Sequence, residues 1–200
     1  MKQLHTKKDN IIWYVSPKTG SRSMHQYFLD QNFAFPPEKL AVVKDLDSCI
    51  FSFSFSRNPW DKIVSVWRDK VEKQWSEDYP YPQFRIPYFQ QFSGKDFIFF
   101  VKNMMSNKNL HLEPQSKLCD LHLIDFIGRF ENLQQDFDIV CEKVGIPQQQ
   151  LAHKNSSNWT YKSKNIKTKH YTEYYDDETR QIVAKKYAKD IEYFGYKFGE

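Results

Sequence analysis

The sequence predicts a three-layer α/β domain in which helices flank a central, mainly parallel sheet. Segments with strand and helix character alternate along its 200 residues, the order expected of parallel strands joined by helical crossovers. Aromatic residues make up 17% of the chain, enough large rings to fill a compact core. Because no repeat or low-complexity linker divides the chain, we expect a single domain over residues 1–200.

The first two predicted strands differ in pattern. Residues 11–15 form a short apolar and β-branched run, typical of a buried strand. Within residues 49–55 phenylalanine alternates with serine, the period of two expected of a second strand. A serine-rich turn over residues 16–23 follows the first strand, and apolar residues at helical spacing then predict a helix over residues 21–30.

The next helix has a recognisable start. Asn58 is a good N-cap, Pro59 suits the first helical position, and Asp61 places an acid near the positive end of the helix dipole. Apolar runs and helix stop signals predict the remaining elements. We expect helices over residues 97–105, 132–144 and 176–187, a third strand over residues 121–126 and a long loop over residues 75–87.

The composition narrows the class of ligand. Lys and Arg total 29 against 25 Asp and Glu, and the charges are mixed along the chain, so a nucleic-acid partner is not expected. A small polyanion fits the formal charge of +4 if the cations converge on one site. The block over residues 161–169 carries four lysines and no acid, and is either a solvated loop or a basic flap over an anion.

Cysteine spacing and hydropathy indicate the cellular compartment in which we expect the protein. Cys49, Cys119 and Cys141 have no metal-ligand spacing, so we expect reduced thiols and no metal site. The apolar run near the N-terminus is about five residues, too short for a signal peptide. No stretch approaches the ~18 apolar residues of a membrane helix. We therefore expect no membrane insertion and a cytoplasmic location, for a chain that is either complete or cut from a longer enzyme.

The sharpest motif is the turn after the first strand. It reads Pro17-Lys18-Thr19-Gly20-Ser21-Arg22-Ser23. A glycine lets the backbone approach a ligand closely, and the first N–H groups of the next helix carry partial positive charge. With the hydroxyls and two cations, these features predict a cradle for a phosphate-like group. The pattern is not GxxxxGK[ST], because Lys18 precedes Gly20 and the first glycine is missing. The alternative is an ordinary strand-to-helix turn.

A second motif begins where the second strand ends. Arg57 stands between that strand and the helix after it, and Ser65 lies two turns into this helix. A guanidinium group matches phosphate bidentately, so the pair suits a second phosphate. The alternative is an arginine salt-bridged at the surface.

Together the two motifs resemble those of the PAPS-dependent sulfotransferases. The resemblance is greatest to the carbohydrate type, which includes the chondroitin and heparan 2-O-sulfotransferases and bacterial relatives. It continues in order through residues 111–116, 124–133 and 190–196, and so spans nearly the whole chain. It implies a three-layer P-loop-like domain, the donor PAPS (3′-phosphoadenosine-5′-phosphosulfate), the product PAP and a carbohydrate acceptor. A lipid, a peptide tyrosine or a small metabolite is left open as acceptor.

The resemblance also implies roles for matching positions. Lys18 contacts the oxygen that bridges phosphate and sulfate, and stabilises the charge as that oxygen leaves. Arg57 and Ser65 hold the 3′-phosphate, and Phe130 either lies beside adenine or is a plain core residue. The 5′-phosphate is held by the loop residues Thr19, Gly20, Ser21, Arg22 and Ser23. Two positions depart from the family pattern: Arg22 replaces a small or hydroxyl residue, and Lys62, expected on a solvated face, replaces an arginine.

The third departure concerns the general base. Sulfuryl transfer resembles phosphoryl transfer, in which positioning and electrostatics do most of the work and a base takes the acceptor proton. Relatives often carry a catalytic histidine between the loop and the second strand, but this chain has no histidine over residues 26–110. His111 is the first candidate, His25 on the first helical turn is the second, and Glu113 is the third.

Both the role of residues 75–87 and the overall function of the chain have alternative interpretations. The aromatic residues and Arg85 within residues 75–87 suit a sugar, or form a loop that covers the core. One rival function is a P-loop small-molecule kinase that binds ATP with magnesium. Another is a non-catalytic member of the same fold that binds nucleotide or glycan. An RNA-binding protein is the third, suggested only by the aromatic content and mild positive charge.

Overall fold

The chain forms two compact units, each made of two separate segments. The computed structural model describes residues 3–41, 49–75, 83, 85–104, 109–152 and 169–200. The first unit comprises Met1–Arg57 and Pro114–Lys154, and the second comprises Asn58–Glu113 and Asn155–Glu200. The single domain over residues 1–200 stays a prediction.

The strands are β1 (Gln3–Lys8), β2 (Ile11–Tyr14), β3 (Lys39–Ala41), β4 (Phe51–Ser56) and β5 (Phe126–Arg129). The helices are α1 (Ser21–Asp30), α2 (Pro59–Trp67), α3 (Phe97–Asn103), α4 (Gln115–Leu118), α5 (Leu133–Val144), α6 (Asp177–Lys186) and α7 (Ala188–Phe194).

The first unit contains a five-stranded sheet with the strand order β3-β1-β2-β4-β5. β4 pairs in parallel with β2 on one side and with β5 on the other. β1 pairs antiparallel with both β2 and β3. Apart from β1, these strands therefore run in one direction, which confirms the predicted mainly parallel sheet. The carboxyl ends of β2, β4 and β5 lie at the same edge.

β4 is buried along its whole length, although its sequence alternates. Its three phenylalanines pack with Met24 and Phe28 of α1 and with Phe137 of α5. Its serines satisfy their hydroxyls by donating to acceptors within the sheet region: Ser54 donates to the Tyr14 carbonyl at 2.8 Å. A buried strand can therefore carry serines, because each hydroxyl replaces its lost water with a carbonyl or carboxylate oxygen.

The predicted strand over residues 121–126 is wrong in position. Leu121–Leu123 is a 3₁₀ turn, and β5 begins only at Phe126. The side chain of Asp120 accepts a hydrogen bond from the His122 N–H and so caps the turn. The Asp125 carboxylate accepts from the Ser52 N–H at 2.7 Å, and the Asp125 N–H donates to the Ser52 carbonyl at 3.1 Å. The side chains of Asp120 and Asp125, at the two ends of the apolar residues 121–124, thus hold these residues out of the strand.

The observed helices confirm most of the predicted helix boundaries. α1 covers residues 21–30 as expected, and α5 ends at Gly145, whose φ of +73° closes the helix. The Asn58 side chain caps α2 by accepting from the Trp60 N–H at 3.1 Å. α6 matches the predicted last helix, but α7 follows it directly and was not expected.

In the second unit, Lys62 corrects one expectation. Its side chain was placed on a solvated face but is fully buried. The ammonium donates to the Glu113 carbonyl at 2.7 Å and lies 5.6 Å from the centroid of the Tyr187 ring. A carbonyl oxygen and a ring face stand in for water around this cation, which makes its burial tolerable.

Two predicted segments fall largely outside the described residues. Of the basic block over residues 161–169, only Lys169 is described. Of the loop over residues 75–87, the described part places the Arg85 guanidinium 5.2 Å from the Trp75 ring centroid. The three cysteines are thiols. Within the ranges that the structure covers, no helix is long and apolar enough to cross a membrane.

Candidate functional site

The predicted cradle is a tight turn at the carboxyl end of β2. We call residues 16–20, which join β2 to α1, the β2–α1 turn. Lys18 and Gly20 both have left-handed backbones, with φ of +74° and +82°. Open parallel sheets bind ligands at the carboxyl ends of their strands. Arg57 follows β4 and Phe130 follows β5 at this edge, so both converge with the predicted cradle in the first unit.

Gly20 is required where α1 begins. Besides its positive φ, a Cβ at this position would lie 2.7 Å from Cδ2 of Leu133. Gly20 is also the N-cap residue, and no side chain caps the helix. The first N–H groups of a helix have no intrahelical partner, and they carry the positive end of its dipole. α1 therefore presents the N–H groups of Ser21 and Arg22 towards the turn.

The predicted phosphate-binding side chains of the turn and of the first turn of α1 differ in exposure. Thr19 is buried, and its hydroxyl donates to the Ser16 carbonyl at 2.8 Å, which closes the turn on itself. Any anion contact from Thr19 then falls to its main-chain N–H. Ser21 and Ser23 are half-buried and Arg22 is exposed on the first turn of α1.

Arg57 is held in place by two neighbours. Its Nη1 donates to the Lys18 carbonyl at 2.8 Å, and its Cζ lies 3.9 Å from the centroid of the Phe130 ring. The side chain is only 9% exposed, so the guanidinium is largely shielded from water. A planar cation fixed on both a carbonyl and a ring is oriented before any ligand arrives. Phe130 thus supports Arg57, and its contact with adenine stays a prediction.

Gln115, the first residue of α4, is a site residue that sequence reasoning missed. Its side chain is 1% exposed and its amide makes two main-chain hydrogen bonds with Arg57. Oε1 accepts from the Arg57 N–H at 2.9 Å, and Nε2 donates to the Arg57 carbonyl at 3.0 Å. The same Oε1 lies 3.4 Å from the Ser16 hydroxyl. The sequence signal that could have identified Gln115 was its position directly after Pro114, within residues 111–116, which resemble a sulfotransferase segment.

The candidate bases lie in different surroundings. In the first unit, the half-buried His25 ring lies 6.4 Å from the Trp13 ring, centroid to centroid. In the second unit, His111 lies in the 3₁₀ turn Leu110–Leu112. Ser65, which was predicted to bind the 3′-phosphate and is not a candidate base, is buried in α2 of the same unit. Glu113 follows that turn, where its carbonyl accepts from Lys62.

The tautomer of His111 follows from its contact with Asn109. The Asn109 Oδ1 accepts from the His111 N–H at 3.0 Å and lies 3.0 Å from the His111 Nδ1. An amide oxygen only accepts, so Nδ1 must carry the proton and Nε2 is the basic nitrogen of the neutral ring.

Tyr14 does not act as a base near neutral pH. Burial raises the pKa of Tyr14 to about 12, so its phenol stays neutral near neutral pH. In the part of the chain that the structure describes, no group of three or more His, Cys, Asp or Glu side chains could hold a metal ion. The arrangement in the first unit, with helix amides, Lys18 and Arg57, suits a ligand that carries more than one negative charge.

Comparisons with known proteins bear on the family of the chain. A family model described as "Sulfotransferase family" matches residues 3–197. Human carbohydrate sulfotransferase 9 is 28% identical over 156 residues, which cover 68% of this chain and 32% of that protein. Carbohydrate sulfotransferase 14 of Danio rerio is 29% identical over 164 residues, 73% of this chain and 44% of that protein.

A third relative is archaeal. An uncharacterized protein of Archaeoglobus fulgidus is 29% identical over 110 residues, 54% of this chain and 78% of that protein. The chain therefore spans less than half the length of the two carbohydrate sulfotransferases that it matches. No solved structure matches the chain significantly.

Proposed function

The chain belongs to the sulfotransferase family, and from that premise we propose that it transfers a sulfuryl group from PAPS to a hydroxyl of a carbohydrate. The observation that carries the proposal is the convergence of the β2–α1 turn, Arg57 and Phe130 at one edge of the sheet. The names of the two carbohydrate sulfotransferases support the acceptor class. A three-layer P-loop-like fold and a cytoplasmic location belong to the same proposal, the latter on composition alone.

PAPS presents two anionic ends, and the proposal matches each end to one motif. The 5′-phosphosulfate lies against the first amides of α1, where helix dipole and exposed N–H groups favour an anion. The 3′-phosphate lies against Arg57, whose fork of N–H donors suits phosphate oxygens. Ser65 adds a hydroxyl to that phosphate, and Phe130 offers a ring for adenine to contact.

The reaction then needs one proton acceptor and one stabilised leaving group. The acceptor hydroxyl oxygen bonds to sulfur as the bond between sulfur and the bridging oxygen breaks. The ammonium of Lys18 stabilises the negative charge that builds on that oxygen, so PAP leaves as the product. His111 takes the acceptor proton on Nε2, while Asn109 holds the proton on Nδ1.

Binding of PAP is the first test. At a PAP concentration of about 100 Kd, mass action stabilises the protein by about 2.7 kcal/mol, a rise in Tm of roughly 5–10 °C. ATP with magnesium is expected to raise Tm far less, because the β2–α1 turn lacks the first glycine of the nucleotide-binding loop. The measurement is thermal unfolding with each ligand, followed by isothermal titration calorimetry.

Two outcomes separate the proposal from its rivals. Stabilisation by ATP with magnesium and none by PAP contradicts it in favour of a kinase. PAP binding without transfer from labelled PAPS to any member of a glycan panel identifies a non-catalytic member of the fold.

His111→Ala is expected to lower turnover about a hundredfold while PAP affinity stays unchanged, because a general base acts on the acceptor and not on the nucleotide. His122→Ala is the matched control, since His122 is an exposed histidine in the first unit. Turnover is measured at saturating PAPS. Equal turnover in the two variants would remove His111 and turn attention to His25 and Glu113.

A further inference from the structure

We infer that Gln115 is a positioning residue of the donor site, which holds Arg57 and the β2–α1 turn in their binding arrangement. The inference rests on the proposed function, because it concerns how the nucleotide site is organised. It is carried by the two main-chain hydrogen bonds between the Gln115 amide and Arg57, at 2.9 and 3.0 Å.

Arg57 needs such a partner because it lies just beyond the sheet. The paired residues of β4 end at Ser56, which lies opposite Arg129 of β5. A buried residue must still find partners for its N–H and its C=O. The Gln115 amide supplies both, as a neighbouring strand would. The peptide groups on either side of the Arg57 Cα are therefore fixed, and so is the direction in which the guanidinium leaves the backbone.

The contacts form a closed chain that includes the turn. From Gln115 they run to the Arg57 backbone, and from the Arg57 guanidinium to the Lys18 carbonyl at 2.8 Å. The β2–α1 turn then leads back to Ser16, whose hydroxyl lies 3.4 Å from Gln115 Oε1. All these residues belong to the first unit. Freeing the Gln115 amide therefore loosens both the cation assigned to the 3′-phosphate and the turn assigned to the 5′-phosphosulfate.

Glutamine is the side chain that fits this position. It combines one acceptor and one donor group at the end of a two-carbon stem. An ionised glutamate accepts from the Arg57 N–H but cannot donate to the Arg57 carbonyl. A protonated glutamic acid can do both. Leucine has a similar shape and can do neither.

The test is PAP affinity as a function of pH in Gln115→Glu, with Gln115→Leu and wild type alongside. At pH 8 we expect PAP to bind Gln115→Glu about tenfold more weakly than wild type. As pH falls to about 5.5, burial favours the protonated acid and the Arg57 carbonyl regains its donor, so the ratio of the two Kd values falls towards one. In Gln115→Leu the loss persists at every pH. Gln149→Glu, which changes an exposed glutamine, is the matched control.

Kinetics provide a second readout that a general loss of stability would not produce. KM for PAPS is expected to rise about tenfold in Gln115→Glu at pH 8, while kcat at saturating PAPS changes less than threefold. If Gln115→Leu does not fold, the pH profile of Gln115→Glu decides alone. A Kd ratio near one at pH 8, or a loss that does not change with pH, overturns the inference. Failure of wild type to bind PAP instead contradicts the proposed function.

Discussion

Alanine in place of Lys18 is expected to lower turnover about a thousandfold. The reason is that, in the proposed mechanism, the ammonium acts on charge that appears only as the bridging oxygen leaves, and groups aimed at such charge contribute about 10²- to 10³-fold each. PAP affinity is expected to change only a few fold, because amides of α1 and Arg57 remain. Turnover at saturating PAPS and the Kd of PAP are the two measurements.

Two further variants sharpen this test of Lys18. Lys18→Met keeps the aliphatic stem and the packing of the turn, so the same loss is expected if the charge is responsible. Lys143→Ala removes an exposed lysine near the end of α5 and is expected to leave turnover unchanged. Retention of more than a tenth of wild-type turnover by Lys18→Met would rule out leaving-group stabilisation by Lys18.

Arg57→Ala is expected to weaken PAP binding about 400-fold, or about 3.5 kcal/mol, within the range measured when one partner of a buried charge pair is truncated. The substitution removes the cation assigned to the 3′-phosphate, the hydrogen bond to the Lys18 carbonyl and the contact with the Phe130 ring. Isothermal titration calorimetry with PAP measures the loss directly.

Arg57→Lys separates charge from geometry. A lysine keeps the charge but has no planar fork, so it cannot donate to the Lys18 carbonyl and to a phosphate in the same way. We expect about a hundredfold weaker binding. Arg180→Ala, which removes a partly exposed arginine of α6, is the matched control with unchanged affinity. Wild-type affinity in Arg57→Lys would show that charge alone accounts for the contribution of Arg57.

Local signals in the sequence were enough to predict most helices and the two central strands. Caps such as Asn58 and stop signals such as Gly145 act within one turn of the chain, so a single sequence contains them. β1 was missed because residues 3–8 carry no apolar run, and β3 was missed although the apolar run over residues 40–43 begins within it. Their backbone groups pair within the sheet, and pairing of this kind leaves little trace in hydropathy.

The site was predictable only in part, for a related reason. The β2–α1 turn is contiguous, so its glycine, lysine and hydroxyls could be read together. The contact of Gln115 with Arg57 joins residues 58 positions apart, and the contact of Arg57 with Phe130 depends on the order of parallel strands. Sequence spacing carries no information on which strand ends become neighbours, so the supporting contacts emerged only from the structure.

If Lys18 has its proposed role, its left-handed backbone makes thermal stability and activity favour different residues at position 18. A φ of +74° costs a residue with a Cβ about 1–2 kcal/mol, and glycine adopts it readily. Laboratory evolution that selects only for heat tolerance would therefore favour glycine at position 18 and discard the ammonium group with it. Engineering a hardier version of this chain requires that position 18 be held constant while other sites vary.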